Sequence, residues 1–279
     1  MVTENTASSN QTVTLKPNKG WMGIDLKEIW RYRELIYFLT WRDIKVRYKQ
    51  AVLGVAWAVL QPVITALVTT FVFSTTLNVE TPIPYPLFMM AAYLPWHLFS
   101  NSMTRSSTSL VANANLLTKV YFPRIIIPVA SILAALVDFL ITLVILLGIM
   151  VFYKVPLTLN ILWIIPFTLL AMLAALTVGL WFGALNVQYR DVQQMVPFIA
   201  SIWQFLTPVL YPINITDPVK NFIFNLNPMV GVVNGFRWAI TGGKAPDWTM
   251  AISVGVVLLL FAGGLTFFHK MEKTFADVV

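Results

Sequence analysis

Polar and apolar positions change places along this chain on the scale of whole helices. Up to Gln50 the residues are charged and aromatic. From Ala51 to Phe73 there are 23 residues without an ionisable group. On a helix, Trp30, Tyr37, Trp41, Ile44 and Tyr48 share one stripe. Arg31, Arg42, Lys45 and Lys49 share another, about a quarter turn away. Such a segment suits a membrane surface, with rings at the headgroup boundary and cations in water. The pattern predicts an amphipathic interfacial segment over 21–50, in one or two helices. A span over about 51–73 follows, kinked at Pro62 and long enough for a hydrocarbon core of ~30 Å.

Five more apolar runs follow, at about 87–103, 125–152, 159–185, 195–211 and 248–268. The fold class expected is therefore all-α integral membrane, with six transmembrane helices. The run at 87–103 is short and holds Pro95, and its helix is expected to continue into the polar SNSMTRSSTSL. Residues 1–20 read as a mobile tail and 269–279 as a second tail. Between the last two spans lie two apolar pieces, 219–226 and 229–240, separated by Asn227-Pro228. Each is too short to cross. They predict a re-entrant or docked hairpin, or else a pair of helices on the outer surface.

Charge sets the expected orientation. Fifteen Lys and Arg fall in segments placed inside by a six-span count and four in those placed outside. The positive-inside rule then puts both termini in the cytoplasm. Composition agrees with a membrane protein, at 58% hydrophobic and 11% charged residues. A net charge of +7 is concentrated beside the spans, so it is no argument for nucleic acid. There are no cysteines, and the two histidines give no metal motif.

The chemistry of hydrolysis is missing. No phosphate-cradling G-x-x-x-x-G-K-[ST] occurs, and neither H-E-x-x-H nor G-x-S-x-G. No two acidic residues are spaced for a D-x-D metal clamp. Asp138 is the one carboxylate placed deep in a span, ~20 Å from its inner end. It is either a pathway residue or a group pinning two helices, since a lone buried charge is costly. His97 falls at similar depth, so a contact between the two is expected. Arg190-Asp191 caps a turn, and Gly179 with Gly183 permits close helix packing. Trp57, Phe71, Tyr93, Trp96, Phe99, Trp203, Phe205 and Tyr211 lie in or near three of the spans. They suit either a duct that stacks on sugar rings or packing against lipid.

Four stretches, in this order, carry a family resemblance: RDIKVRYKQAVLGVAWAVLQP (42–62), NANLLTKVYFPRIIIP (113–128), VQYRDVQQMVPF (187–198) and NPMVGVVNGFRWAITG (227–242). Together they resemble permease subunits of ABC exporters of the O-antigen, teichoic-acid and capsule type. The resemblance implies a homodimer in the bacterial plasma membrane with two separate ATPase subunits, which bind the ATP and Mg. It implies export of a polysaccharide linked to undecaprenyl diphosphate, with no cofactor in this chain. It places an ATPase-coupling helix on Asn113, Ala114, Asn115, Leu116, Leu117, Thr118, Lys119, Val120 and Tyr121. It brings Arg42, Lys45, Arg47 and Lys49 to the carrier diphosphate or to anionic lipid, and Arg237 and Trp238 to the emerging glycan. Export of a drug or small lipid by the same superfamily is a second reading. An integral membrane glycosyl- or acyltransferase is a third.

Overall fold

A computed structural model describes residues 26–49, 54–212, 217–242, 245–273 and 275. The expected tail 1–20 lies outside them, as do 21–25 and the end of the second tail. Among the described residues the chain is helical and no strand occurs. The helices are α1 (Leu26–Arg31), α2 (Arg33–Lys49), α3 (Gly54–Thr70), α4 (Tyr85–Ala112), α5 (Ala114–Lys119), α6 (Ile126–Phe152), α7 (Ile164–Gln188), α8 (Val192–Leu206), α9 (Pro218–Asn225), α10 (Pro228–Thr241) and α11 (Met250–Glu272). A π-helical turn, Phe71–Thr76, prolongs α3, and a 3-10 turn, Leu159–Trp163, leads into α7.

Among the described residues, four helical stretches are long and apolar enough to cross a membrane: Ala56–Thr76, Ile126–Phe152, Leu159–Gln188 and Met250–Glu272. The other two expected spans differ for separate reasons. The helix α8 has only 15 residues, and Thr207 after it is extended. The helix α4 has 28 residues, about 42 Å, yet much of its length is serine, threonine and asparagine. It passes through Pro95 unbroken. The backbone bond lost there is offset by packing, since Met89 to Ala92, Leu94, Trp96, Leu98 and Phe99 are almost wholly buried.

The body is built around α4, which lies against α6, α7, α8 and α10. Its serine-rich half meets the glycines of α7. A Cβ at Gly179 would collide with Ser106 Oγ, and one at Gly183 would lie 3.5 Å from the Ser106 carbonyl oxygen. The Asn186 amide donates to the Ser107 carbonyl at 3.0 Å. Small residues thus let two backbones approach and trade side-chain volume for hydrogen bonding, the expected use of the Gly179–Gly183 spacing. A second, smaller apolar cluster closes the end of the bundle that carries α5. It includes Leu39, Leu110, Leu117, Phe122, Leu265, Phe268 and Phe275.

The helix α2 is bound to α6 along its length. Leu39 is buried, Thr40 Oγ1 donates to the Ala130 carbonyl at 3.4 Å, and both Arg47 and Tyr48 reach Asp138. Eight residues on, each helix has advanced by the same amount, so the two run parallel for about 12 Å. The expected stripe is divided by this contact. Trp30, Tyr37 and Trp41 stay exposed, while Ile44 and Tyr48 are partly covered.

The two apolar pieces between the last expected spans form α9 and α10. Asn227 caps α10 through Met229 N and holds the end of α8: its Oδ1 accepts from Trp203 Nε1 at 3.0 Å, and its amide donates to Thr207 Oγ1 at 2.9 Å. The helix α10 is docked between α4, α7 and α11. Two glycines make this possible. A Cβ at Gly235 would meet the Phe167 ring at 2.5 Å, and one at Gly231 would meet Ser253 at 2.8 Å.

Candidate functional site

Three arginines converge where α2, α4 and α6 meet. Arg42 and Arg47 come from α2, five residues apart, and Arg105 comes from the serine-rich half of α4. With Asp43, Val46, Ser131 and Ala134 they line a cavity of about 420 Å³. The parallel run of α2 on α6 fixes one wall, and the glycine contact with α7 fixes α4 opposite.

The arginines are unequally paired. Arg42 NH2 donates to Asp43 Oδ1 at 2.8 Å. Arg47 NH1 bonds Asp138 Oδ2, and the Tyr48 hydroxyl donates to Asp138 Oδ1. Arg47 Nε and NH2 are buried without a partner. The Arg105 guanidinium makes no hydrogen bond or ion pair among the described residues. Burial pulls the Arg47 pKa below its usual value, against the opposing pull of Tyr48 and Asp43. Three guanidiniums against two carboxylates leave one net positive charge. The Arg105 guanidinium, exposed on the cavity lining, can give that charge to an anion, and planar guanidinium forks suit phosphate oxygens.

Asp138 therefore pins α2 to α6. The contact expected between Asp138 and His97 does not form. His97 stacks on Tyr93 at 5.2 Å and lies 3.1 Å from the Asn101 amide nitrogen. The other two cations of the α2 stripe stay out of the cavity: Lys45 lies over the Trp41 ring at 5.3 Å, and Lys49 is exposed. Arg105 has no place in the expected set, and only three-dimensional packing brings it in.

The segment 113–121 forms a projecting knuckle. Asn113 ends α4 with its amide on the Ser109 carbonyl at 2.8 Å. Leu117 anchors α5 in the smaller cluster. Ala114 and Leu116 are half-buried, while Asn115, Thr118, Lys119, Val120 and Tyr121 are exposed. Behind the knuckle, Arg124 bonds the Glu272 carbonyl and lies 5.7 Å from the Phe275 ring centre. The end of α11 thus braces the segment, a contact between residues 148 apart that no local pattern announces.

The aromatics are scattered. The buried Trp96 and Phe99 and the partly buried Trp203 form a chain, at 5.5 and 5.2 Å. Trp57, Phe71 and Phe205 are exposed, and Tyr211 bonds the Phe205 carbonyl at 2.6 Å. Arg237 lies over the Phe88 ring at 3.8 Å and donates to the Val209 carbonyl at 3.0 Å. Trp238 packs on Trp163 at 5.9 Å. Within one chain, they do not enclose a duct.

Comparison with known proteins bears on what such an arrangement is for. The chain is 28% identical over 247 residues to an O-antigen export system permease protein, RfbA, of Klebsiella pneumoniae, covering 88% of this chain and 95% of that one. It is 29% identical to the RfbA of Myxococcus xanthus, covering 91% of this chain and 98% of the other. It is 26% identical to the polysialic acid transport protein KpsM of Escherichia coli, covering 83% and 91% respectively. Residues 34–241, from the start of α2 to the end of α10, match the family described as ABC-2 type transporter, so the chain belongs to that family.

Proposed function

We propose that this chain is the membrane permease of an ATP-driven exporter that moves an O-antigen-like polysaccharide out of the cytoplasm on undecaprenyl diphosphate. Two copies form the pathway, and two copies of a separate ATPase drive it. The chain sits in the bacterial plasma membrane with six crossings and both termini inside. The observation that carries the reading is the three-arginine cavity, where the Arg105 guanidinium has no protein partner among the described residues, beside the basic helix α2. A diphosphate headgroup has the charge and the oxygens to fill it. The knuckle 113–121 offers the ATPase an exposed contact on a short helix, with Lys119 and Tyr121 outermost. The names of the relatives favour a polysaccharide over a drug or small lipid.

In this reading the carrier's headgroup enters between α2 and α4, while the aromatic surfaces of two facing copies form the path for the glycan. ATP binding would push on the knuckle, which is braced by Arg124 and Glu272 and therefore moves with α11. The test is reconstitution. The chain is purified with the ATPase encoded beside it, and ATP turnover is measured with undecaprenyl-diphosphate-linked glycan. Stimulated turnover in the complex, lost on changing Lys119 and Tyr121 to alanine, is the expected result. Failure of the chain to hold any ATPase would overturn the reading.

A further inference from the structure

We propose that the groove between α4 and α8 binds the sugar residue nearest the carrier diphosphate. This site deepens the reading of the arginine cavity as a phosphate site and rests on it. The groove is a second cavity, also about 420 Å³, lined by Ser100, Asn101, Thr104 and Arg105 of α4 and Ser201 and Gln204 of α8. Ser100 with Thr104 and Asn101 with Arg105 lie four apart on α4, and Ser201 with Gln204 three apart on α8, so one polar face of α4 meets one polar face of α8. Pro197 and Ala200 give it an apolar patch.

Its chemistry suits a neutral, hydroxyl-rich ring. No acidic side chain lines it. Hydroxyls and carboxamides both donate and accept, as sugar hydroxyls and an N-acetyl group require. Ser100, Thr104 and Gln204 make no side-chain hydrogen bond among the described residues, and Ser201 spends only its proton, on the Phe198 carbonyl at 2.7 Å. Asn101 is the member already engaged, by His97. Polar side chains at this density on helices of a membrane protein are costly unless water or a ligand meets them. The apolar patch can take the C–H face of the same ring.

Arg105 lines both cavities. In a glycosylated diphosphate lipid the sugar is bonded directly to the terminal phosphate. A single guanidinium shared by a phosphate-suited cavity and a hydroxyl-suited one matches that junction. The carrier would therefore be read as diphosphate and first sugar together, and a bare carrier would satisfy only half of the site.

The test compares two lipids on the full chain in nanodiscs: undecaprenyl diphosphate, and undecaprenyl diphosphate bearing one N-acetylglucosamine. Competition is read by native mass spectrometry. The unaltered protein should prefer the sugar-bearing lipid by about tenfold, the worth of one or two net hydrogen bonds. The double variant Thr104→Val with Gln204→Leu should lose that preference and keep its affinity for the bare carrier. Equal binding of both lipids by the unaltered protein overturns the sugar site and leaves the phosphate cavity standing. A variant that keeps the preference also overturns it. Absence of binding by either lipid overturns both readings. The comparison within the unaltered protein decides the matter even where the variant fails to fold.

Discussion

Arginine is drawn inward at two places in this molecule, and the two are built differently. Arg237, in the docked hairpin, lies flat on Phe88 and bonds the Val209 carbonyl. It ties α10 to α4 and to the chain after α8. Arg47 and Arg105 line a cavity; buried nitrogens without a partner occur on both Arg47 and Arg237, but of the three only the Arg105 guanidinium is held by nothing in the protein among the described residues. One region uses guanidinium as cement between apolar helices, and the other keeps it available. The difference lies in what faces the cation: an aromatic ring and a carbonyl in the first case, an open volume in the second.

Substitutions can break this contrast, beginning with the largest effect. Arg47→Ala removes the cationic partner of Asp138 and leaves a buried carboxylate with only the Tyr48 hydroxyl, which should cost about 3–5 kcal/mol. Thermal unfolding in detergent measures it, and adding Asp138→Asn should recover much of the loss. Arg237→Ala should cost about 2 kcal/mol through the lost ring contact and hydrogen bond. Carrier binding should be unchanged in that variant. Gly235→Ala should cost about 1–3 kcal/mol, because the Phe167 ring must move for α10 to stay docked. Arg105→Ala should change stability by less than about 0.5 kcal/mol, since Arg105 holds nothing in place. That variant should nevertheless weaken binding of the diphosphate lipid. A cation that matters little to folding and much to the ligand is the signature that separates the cavity from the hairpin.

The parts legible in the sequence were those set by local pattern. Continuous apolar runs gave α3, α6, the 159–188 helix and α11 to within a few residues. Asn227-Pro228 marked the joint of the hairpin, because Pro fits the first turn of a helix and Asn its cap. The basic stripe contributed Arg42 to the site, and the family resemblance pointed to Arg47. What stayed hidden depended on pairings across the fold. Asp138 meets a residue 91 positions away, and nothing in either segment names the other. Arg105 lies in the polar extension of α4, which the sequence reads as helical, but nothing local says that it turns toward Arg42 and Arg47 of α2. The packing of the serine-rich stretch was equally hidden, because it depends on the α7 glycines rather than on apolar side chains.

The most direct test of the cavity is the affinity of the purified chain for undecaprenyl diphosphate, measured for the unaltered protein and for Arg105→Ala, with undecaprenol as the uncharged control. The account predicts binding at least about tenfold weaker in the variant, at an unchanged melting temperature, and no effect on undecaprenol. Equal affinity of the two proteins for the diphosphate lipid would contradict it.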